Sequence, residues 1–157
     1  MRKILLALAL GSAILQASAQ APEPEKAPAT WYAGVYASLS SGDGIQSSSY
    51  PSVEVGRAQG ITTLALNMGR RNFVADEGGE KASYYFYEPK VSVSKNIADN
   101  VQAFGLFGAG GFFDSNHFLI EYGLGVNWSV GPKTSVCTQA SNWDGADYVT
   151  FGVSRTF

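Results

Sequence analysis

The feature that most limits this fold is a strict alternation between residues 117 and 130. Phe118, Ile120, Tyr122, Leu124, Val126, Trp128 and Val130 fall on one side of an extended chain, and Leu119, Glu121, Gly123, Gly125, Asn127 and Ser129 on the other. A period of two puts alternate side chains on opposite faces of a strand. One face is continuously apolar; the other is small and polar. The end of the chain repeats this, with Val149, Phe151, Val153 and Phe157 opposite Tyr148, Thr150, Gly152, Ser154 and Thr156.

The same test applied along the chain predicts eight strands, at 30–40, 50–58, 61–72, 82–95, 101–113, 117–130, 133–141 and 147–157. The connections at 59–60, 96–100 and 131–132 are tight, whereas those at 42–49 and 73–81 are longer and polar. An even number of antiparallel strands with tight turns at one end and longer loops at the other is the connectivity of an outer-membrane barrel. The expected fold class is therefore all-β: a single antiparallel up-and-down transmembrane β-barrel of eight strands, preceded by a signal peptide. The limits of the second and third strands are weak, which leaves ten strands as the competing count.

Arg2 and Lys3 precede an apolar run at 4–15, and Ala17, Ser18 and Ala19 then supply the small residues of a signal-peptidase site. That run is too short for a transmembrane helix, which needs about 20 residues. The predicted division is a signal peptide at 1–19, a Pro/Ala-rich periplasmic tether at 20–30 carrying Pro22, Pro24 and Pro28, and a barrel domain at 31–157.

Charge sets the orientation of the sheet. Only 15% of the 157 residues are charged, against about 25% in an ordinary soluble domain. Glu54, Asn67, Arg71, Glu88, Lys90, Glu121, Asn127 and Gln139 fall on the small polar phase. Eight strands enclose a lumen that side chains just fill, so these residues are expected to pair into a hydrogen-bonded plug. Arg57, Arg70 and Arg155 lie on the outward phase near strand ends. A cation on the lipid face costs about 2–4 kcal/mol at the bilayer midplane and about 0–1 at the interface. Phe118 and Trp128 are ten residues apart, about 33 Å along a strand and, with tilt, about 25 Å across a bilayer. Pro89 inside a strand predicts a bulge or local unpairing.

Several chemistries find no support. A formal net charge of −2 without a basic stripe argues against nucleic acid. Cys137 is the only cysteine and His117 the only histidine, so neither a metal site nor a cofactor is expected. The glycine-rich stretch at 105–111 is not followed by a helix, which argues against a phosphate-binding loop.

Four segments carry a resemblance: Trp31-Tyr32-Ala33-Gly34-Val35, the stretch from Val91 through Asn96 and Asp99 to Val101, the run from Tyr122 to Trp128, and the closing Phe151-Gly152-Val153-Ser154-Arg155-Thr156-Phe157. They resemble the small eight-stranded outer-membrane barrels, the group that includes outer-membrane protein X, the attachment-invasion proteins and the opacity-type proteins. The resemblance covers most of the chain after Trp31. It implies a monomer in the cell outer membrane, in contact with outer-membrane lipid and lipopolysaccharide, with a structural or surface-interaction role and no enzymatic one. It also implies that Phe157 is the C-terminal aromatic read by the barrel-assembly machinery, although Arg155 stands where the group usually has an aromatic or aliphatic residue.

The predicted strands at 101–113 and 117–130 are long enough to project beyond the membrane as a ribbon. Phe112, Phe113 and Phe118 then form a candidate tip for a surface ligand; the alternative places them in the upper aromatic girdle. Two other functions compete with this reading. Asp114, Ser115, His117 and Glu121 supply the residue types of a lipid A acyl hydrolase or transferase, but His117 and Ser115 stand in the reverse of that family's order and Asp-Ser-Asn is ordinary turn chemistry. A small soluble periplasmic ligand-binding barrel would instead need its apolar face inside.

Overall fold

The computed structural model describes residues 28–41, 45–46, 49–75, 81–143 and 145–157. The signal peptide and nearly all of the tether lie outside these residues, as do the tips of the two longer loops.

Among the described residues nine strands form, in chain order: β1 (Thr30–Ser41), β2 (Ile45–Gln46), β3 (Ser49–Gln59), β4 (Thr62–Ala75), β5 (Lys81–Ala98), β6 (Val101–Phe112), β7 (Phe118–Gly131), β8 (Thr134–Trp143) and β9 (Ala146–Thr156). β2 is a two-residue pairing on the outer end of β4, through Ile45 with Ala75 and Gln46 with Val74. The other eight close a barrel in which each strand pairs antiparallel with its neighbours in sequence and β1 pairs with β9, from Tyr32 with Thr156 to Ser41 with Asp147. Closure leaves none of the eight strands as an edge, so ladder hydrogen bonds are made inside the wall on both sides of each strand, apart from the break at Pro89. The count is eight.

The turns follow from local chemistry. Gly60, at φ 60°, takes the left-handed conformation that a two-residue hairpin between Gln59 and Thr62 requires. β5 runs on past the predicted end at residue 95 to Ala98, absorbing an irregularity between Asn96 and Ala98, so only Asp99 and Asn100 turn the chain into β6. At the opposite end, the Asn142 side chain accepts the Gly145 amide at 3.1 Å and tightens the β8–β9 connection. That connection is as short as the turns at the other end. The strict alternation of long loops and short turns therefore does not extend to it.

Pro89 behaves as its missing N–H demands. It pairs with Leu66 of β4, but the ladder to β6 passes from Tyr87–Gly111 to Lys90–Gly108 with neither Glu88 nor Pro89 paired between them. The interruption is local unpairing without a shift of register.

The two faces divide as the alternation predicts. Leu124 is 68% exposed and Val35 62%, whereas Glu88 and Glu121 are each 1% exposed. Val53, Val55, Leu64, Leu66, Phe107, Phe151 and Val153 continue the exposed apolar belt around the wall. Trp31, Trp128 and Phe157 mark it toward the turn end, and Tyr85, Phe113 and Phe118 toward the loop end. Arg57, Arg70 and Arg155 are exposed on this face. A soluble barrel inverts this arrangement; a wall set in hydrocarbon has it.

Candidate functional site

The interior is organised around Lys90. Its Nζ lies 3.0 Å from Glu121 Oε2, 3.4 Å from Glu88 Oε2 and 3.7 Å from Glu54 Oε2, so β3, β5 and β7 meet at one ammonium. Each carboxylate has a second support: Tyr32 donates to Glu54 at 2.8 Å, Asn67 to Glu88 at 3.3 Å and Gln139 to Glu121 at 3.0 Å. Charges removed from water persist only when they are paired and hydrogen-bonded. The sheet makes room through glycine. A Cβ on Gly108 would come within 2.6 Å of Glu88 Oε1, so only glycine lets that carboxylate lie against β6.

Six of the eight residues expected to form one network therefore come together: Glu54, Asn67, Glu88, Lys90, Glu121 and Gln139. Arg71 and Asn127 are elsewhere. Arg71 is 3% exposed, but it donates to the Tyr148 hydroxyl and stacks 4.7 Å from the Trp143 ring centre and 4.9 Å from that of Tyr148. It lies four residues nearer the loop end of β4 than Asn67, which lifts it out of the carboxylate layer. Asn127, on β7, lies toward the turn end in the wall of a polar cavity.

Arg71 joins a cluster that sequence reasoning missed. Tyr50, Phe86, Leu119, Trp143, Ala146 and Tyr148 are buried together at the loop end of the lumen, with Phe112 packed against them. Phe86 and Trp143 meet edge-on at 4.8 Å, and Tyr50 meets Trp143 at 5.3 Å and Phe86 at 5.4 Å. Such geometry is worth about 0.5–1.5 kcal/mol per aromatic pair beyond area burial. The available signal was phase: each of these residues sits on the inward parity of its strand, as Tyr148 does opposite Val149.

The candidate surface tip is altered. Phe112 does not belong to it, because the inward parity of Phe104, Leu106, Gly108 and Gly110 carries Phe112 into the lumen's loop end, where it is only partly exposed. Phe113 and Phe118 are 62% and 64% exposed, and Phe113 packs on Tyr87 at 5.1 Å. The longest strand is β5, with 18 residues, and its pairing with β4 runs from Val93–Thr62 to Lys81–Val74. Among the described residues the longest ladder is thus β4–β5 rather than the hairpin at 101–113 and 117–130. At the other end Phe157 is exposed and donates its amide to the Trp31 carbonyl at 3.1 Å.

The acyl-hydrolase constellation is not assembled. Ser115 Oγ accepts the His117 amide at 3.2 Å, which is turn chemistry, and the His117 ring stacks on Phe112. Glu121 faces the lumen on Lys90, while Asp114, Ser115 and His117 are exposed. Among the described residues, no three His, Cys, Asp or Glu side chains are arranged to hold a metal ion. Cys137 is buried and free.

No protein-family model matches the sequence, and no curated protein matches it. Solved structures do match. Designed transmembrane β-barrels superpose with a TM-score of 0.65 at 17% identity, over 85% of this chain and 100% of theirs. The attachment invasion locus protein Ail of Yersinia pestis, solved with the heparin analogue sucrose octasulfate, aligns with a TM-score of 0.52 at 15% identity, over 82% of this chain and 97% of its own. Neisserial surface protein A aligns with a TM-score of 0.57 at 11% identity, over 85% and 100%. The fold of this chain is the small eight-stranded transmembrane β-barrel that these structures share, and the expected resemblance to the attachment-invasion barrels holds at the level of fold.

Proposed function

We propose that this chain is an exported, monomeric outer-membrane barrel with a plugged interior, whose role is structural or surface-interacting and not enzymatic. The observation that carries this reading is the inversion of the two faces: apolar side chains ring the outside and the ion-paired carboxylates occupy the centre. Acyl chains of the outer membrane, with lipopolysaccharide on the outer side, meet the belt. Phe157 serves as the signal for the barrel-assembly machinery. The aromatic cluster closes the lumen at its loop end, and the Lys90 layer ties β3, β5 and β7 together across its middle. Exposed Phe113 and Phe118, with Tyr85 and Tyr87 beside them, offer the surface-ligand contact at the loop end.

Cell fractionation with heat-modifiable gel mobility tests the location: the chain should pellet with the outer membrane and migrate faster unheated than heated. Recovery in the soluble periplasmic extract would refute it. Planar-bilayer recording tests the plug, with small and infrequent openings expected and a steady open conductance contradicting it. Replacing Phe113 and Phe118 by Ser should reduce binding of intact cells to a host surface while mobility is unchanged. Equal binding would remove the interaction role.

A further inference from the structure

The lumen is not filled evenly. On the turn side of Lys90 it opens into a cavity of about 240 Å³, with Asp99, Asn100 and Gln102 toward the turns and Asn67, Glu54 and Lys90 at the inner end. Below the few hundred Å³ of a drug-sized site, such a space suits a molecule of a few heavy atoms.

Its chemistry is one-sided. Three carboxylates surround a single ammonium, and Lys90 is the only cation among the lining residues, against Glu54 and Asp99. The rings of Tyr32, Tyr36 and Phe104 form part of the wall. Excess negative charge and aromatic faces together select a ligand with positive charge, N–H donors and a short hydrocarbon body.

We propose that the turn-end cavity binds a small organic primary ammonium, its N–H groups on Glu54 and its carbon chain along Tyr32, Tyr36 and Phe104 toward Asp99. In an outer-membrane barrel the short turns face the periplasm, so the ligand arrives from that side, and the aromatic cluster separates it from the loop end.

The test is titration of the full barrel in detergent micelles, followed by calorimetry and by amide chemical shifts, with butylammonium chloride as probe. 1-Butanol serves as the uncharged control and sodium chloride as the ionic one. One saturable site of about millimolar affinity is expected for butylammonium, with shifts confined to the cavity wall and no saturation by butanol. Glu54→Gln should weaken binding about tenfold or more, the equivalent of one charge-assisted hydrogen bond. Ala58→Leu, which narrows the cavity without touching a charge, should also weaken it. Heat-modifiable mobility confirms that each variant is folded. Equal saturation by sodium, binding unaffected by either variant, or no saturable site would each overturn the proposal.

Discussion

The two ends of the lumen solve the same packing problem in opposite ways. At the loop end, rings from β3, β5, β8 and β9 interlock around Arg71; at the turn end, hydroxyls and amides line open space. Between them, Lys90 holds three strands together by charge. The barrel is thus sealed from one side only, by aromatic contact, while its middle depends on charge balance. A dry cap tolerates loss of charge but not of volume. The charged layer tolerates loss of a surplus carboxylate but not of its one ammonium.

The largest effect should come from Lys90→Met. It leaves three buried carboxylates uncompensated, and breaking a buried pair in this way costs about 3–5 kcal/mol. Urea unfolding in micelles reads it, and a loss below about 1 kcal/mol would mean that the layer is not held by charge. Trp143→Ala should cost a comparable 3–5 kcal/mol or slightly less through the cavity it leaves, and, unlike Lys90→Met, it should raise bilayer conductance from the loop side. If Trp143→Ala leaves conductance at the parent level, the aromatic end is not the seal.

Much of this comparison was legible in the sequence, and the rest had a physical reason not to be. Period two is a local property, so the alternation at 117–130 placed Glu121 inside and Leu124 outside before any partner strand was known. The depth of a residue along the lumen is a property of register and stagger. Arg71 and Lys90 share the inward phase, but only the pairing of β4 with β5, Arg71 opposite Tyr84 and Ala65 opposite Lys90, shows that they occupy different layers. Phe112 departs from the expected tip because it is the last residue of β6 and keeps that strand's inward parity, whereas Phe113 already lies in the turn beyond it. Tyr50, Phe86, Trp143 and Tyr148 come from four separate strands, and barrel closure alone makes them neighbours.

A third substitution sharpens the contrast between wall and lumen. Leu124→Arg on the exposed belt should cost about 2–4 kcal/mol, whereas Arg155→Leu near the turn end should change stability by about 0–1 kcal/mol. The smallest effect belongs to Glu88→Gln. It removes one carboxylate of three and leaves Lys90 with Glu54 and Glu121, so stability should stay within about 1 kcal/mol of the parent. A loss as large as that of Lys90→Met would show that Glu88 is not surplus.

The account stands on which way alternate side chains of β7 point. Single cysteines placed in turn at residues 120 to 127 of a Cys137→Ser parent, each carrying a small fluorophore, can be read against a quencher confined to lipid tails. Strong quenching at Ile120, Tyr122, Leu124 and Val126 with weak quenching at Glu121, Gly123, Gly125 and Asn127 is the predicted result. Quenching at Glu121 with protection at Leu124 would turn the wall inside out and contradict it.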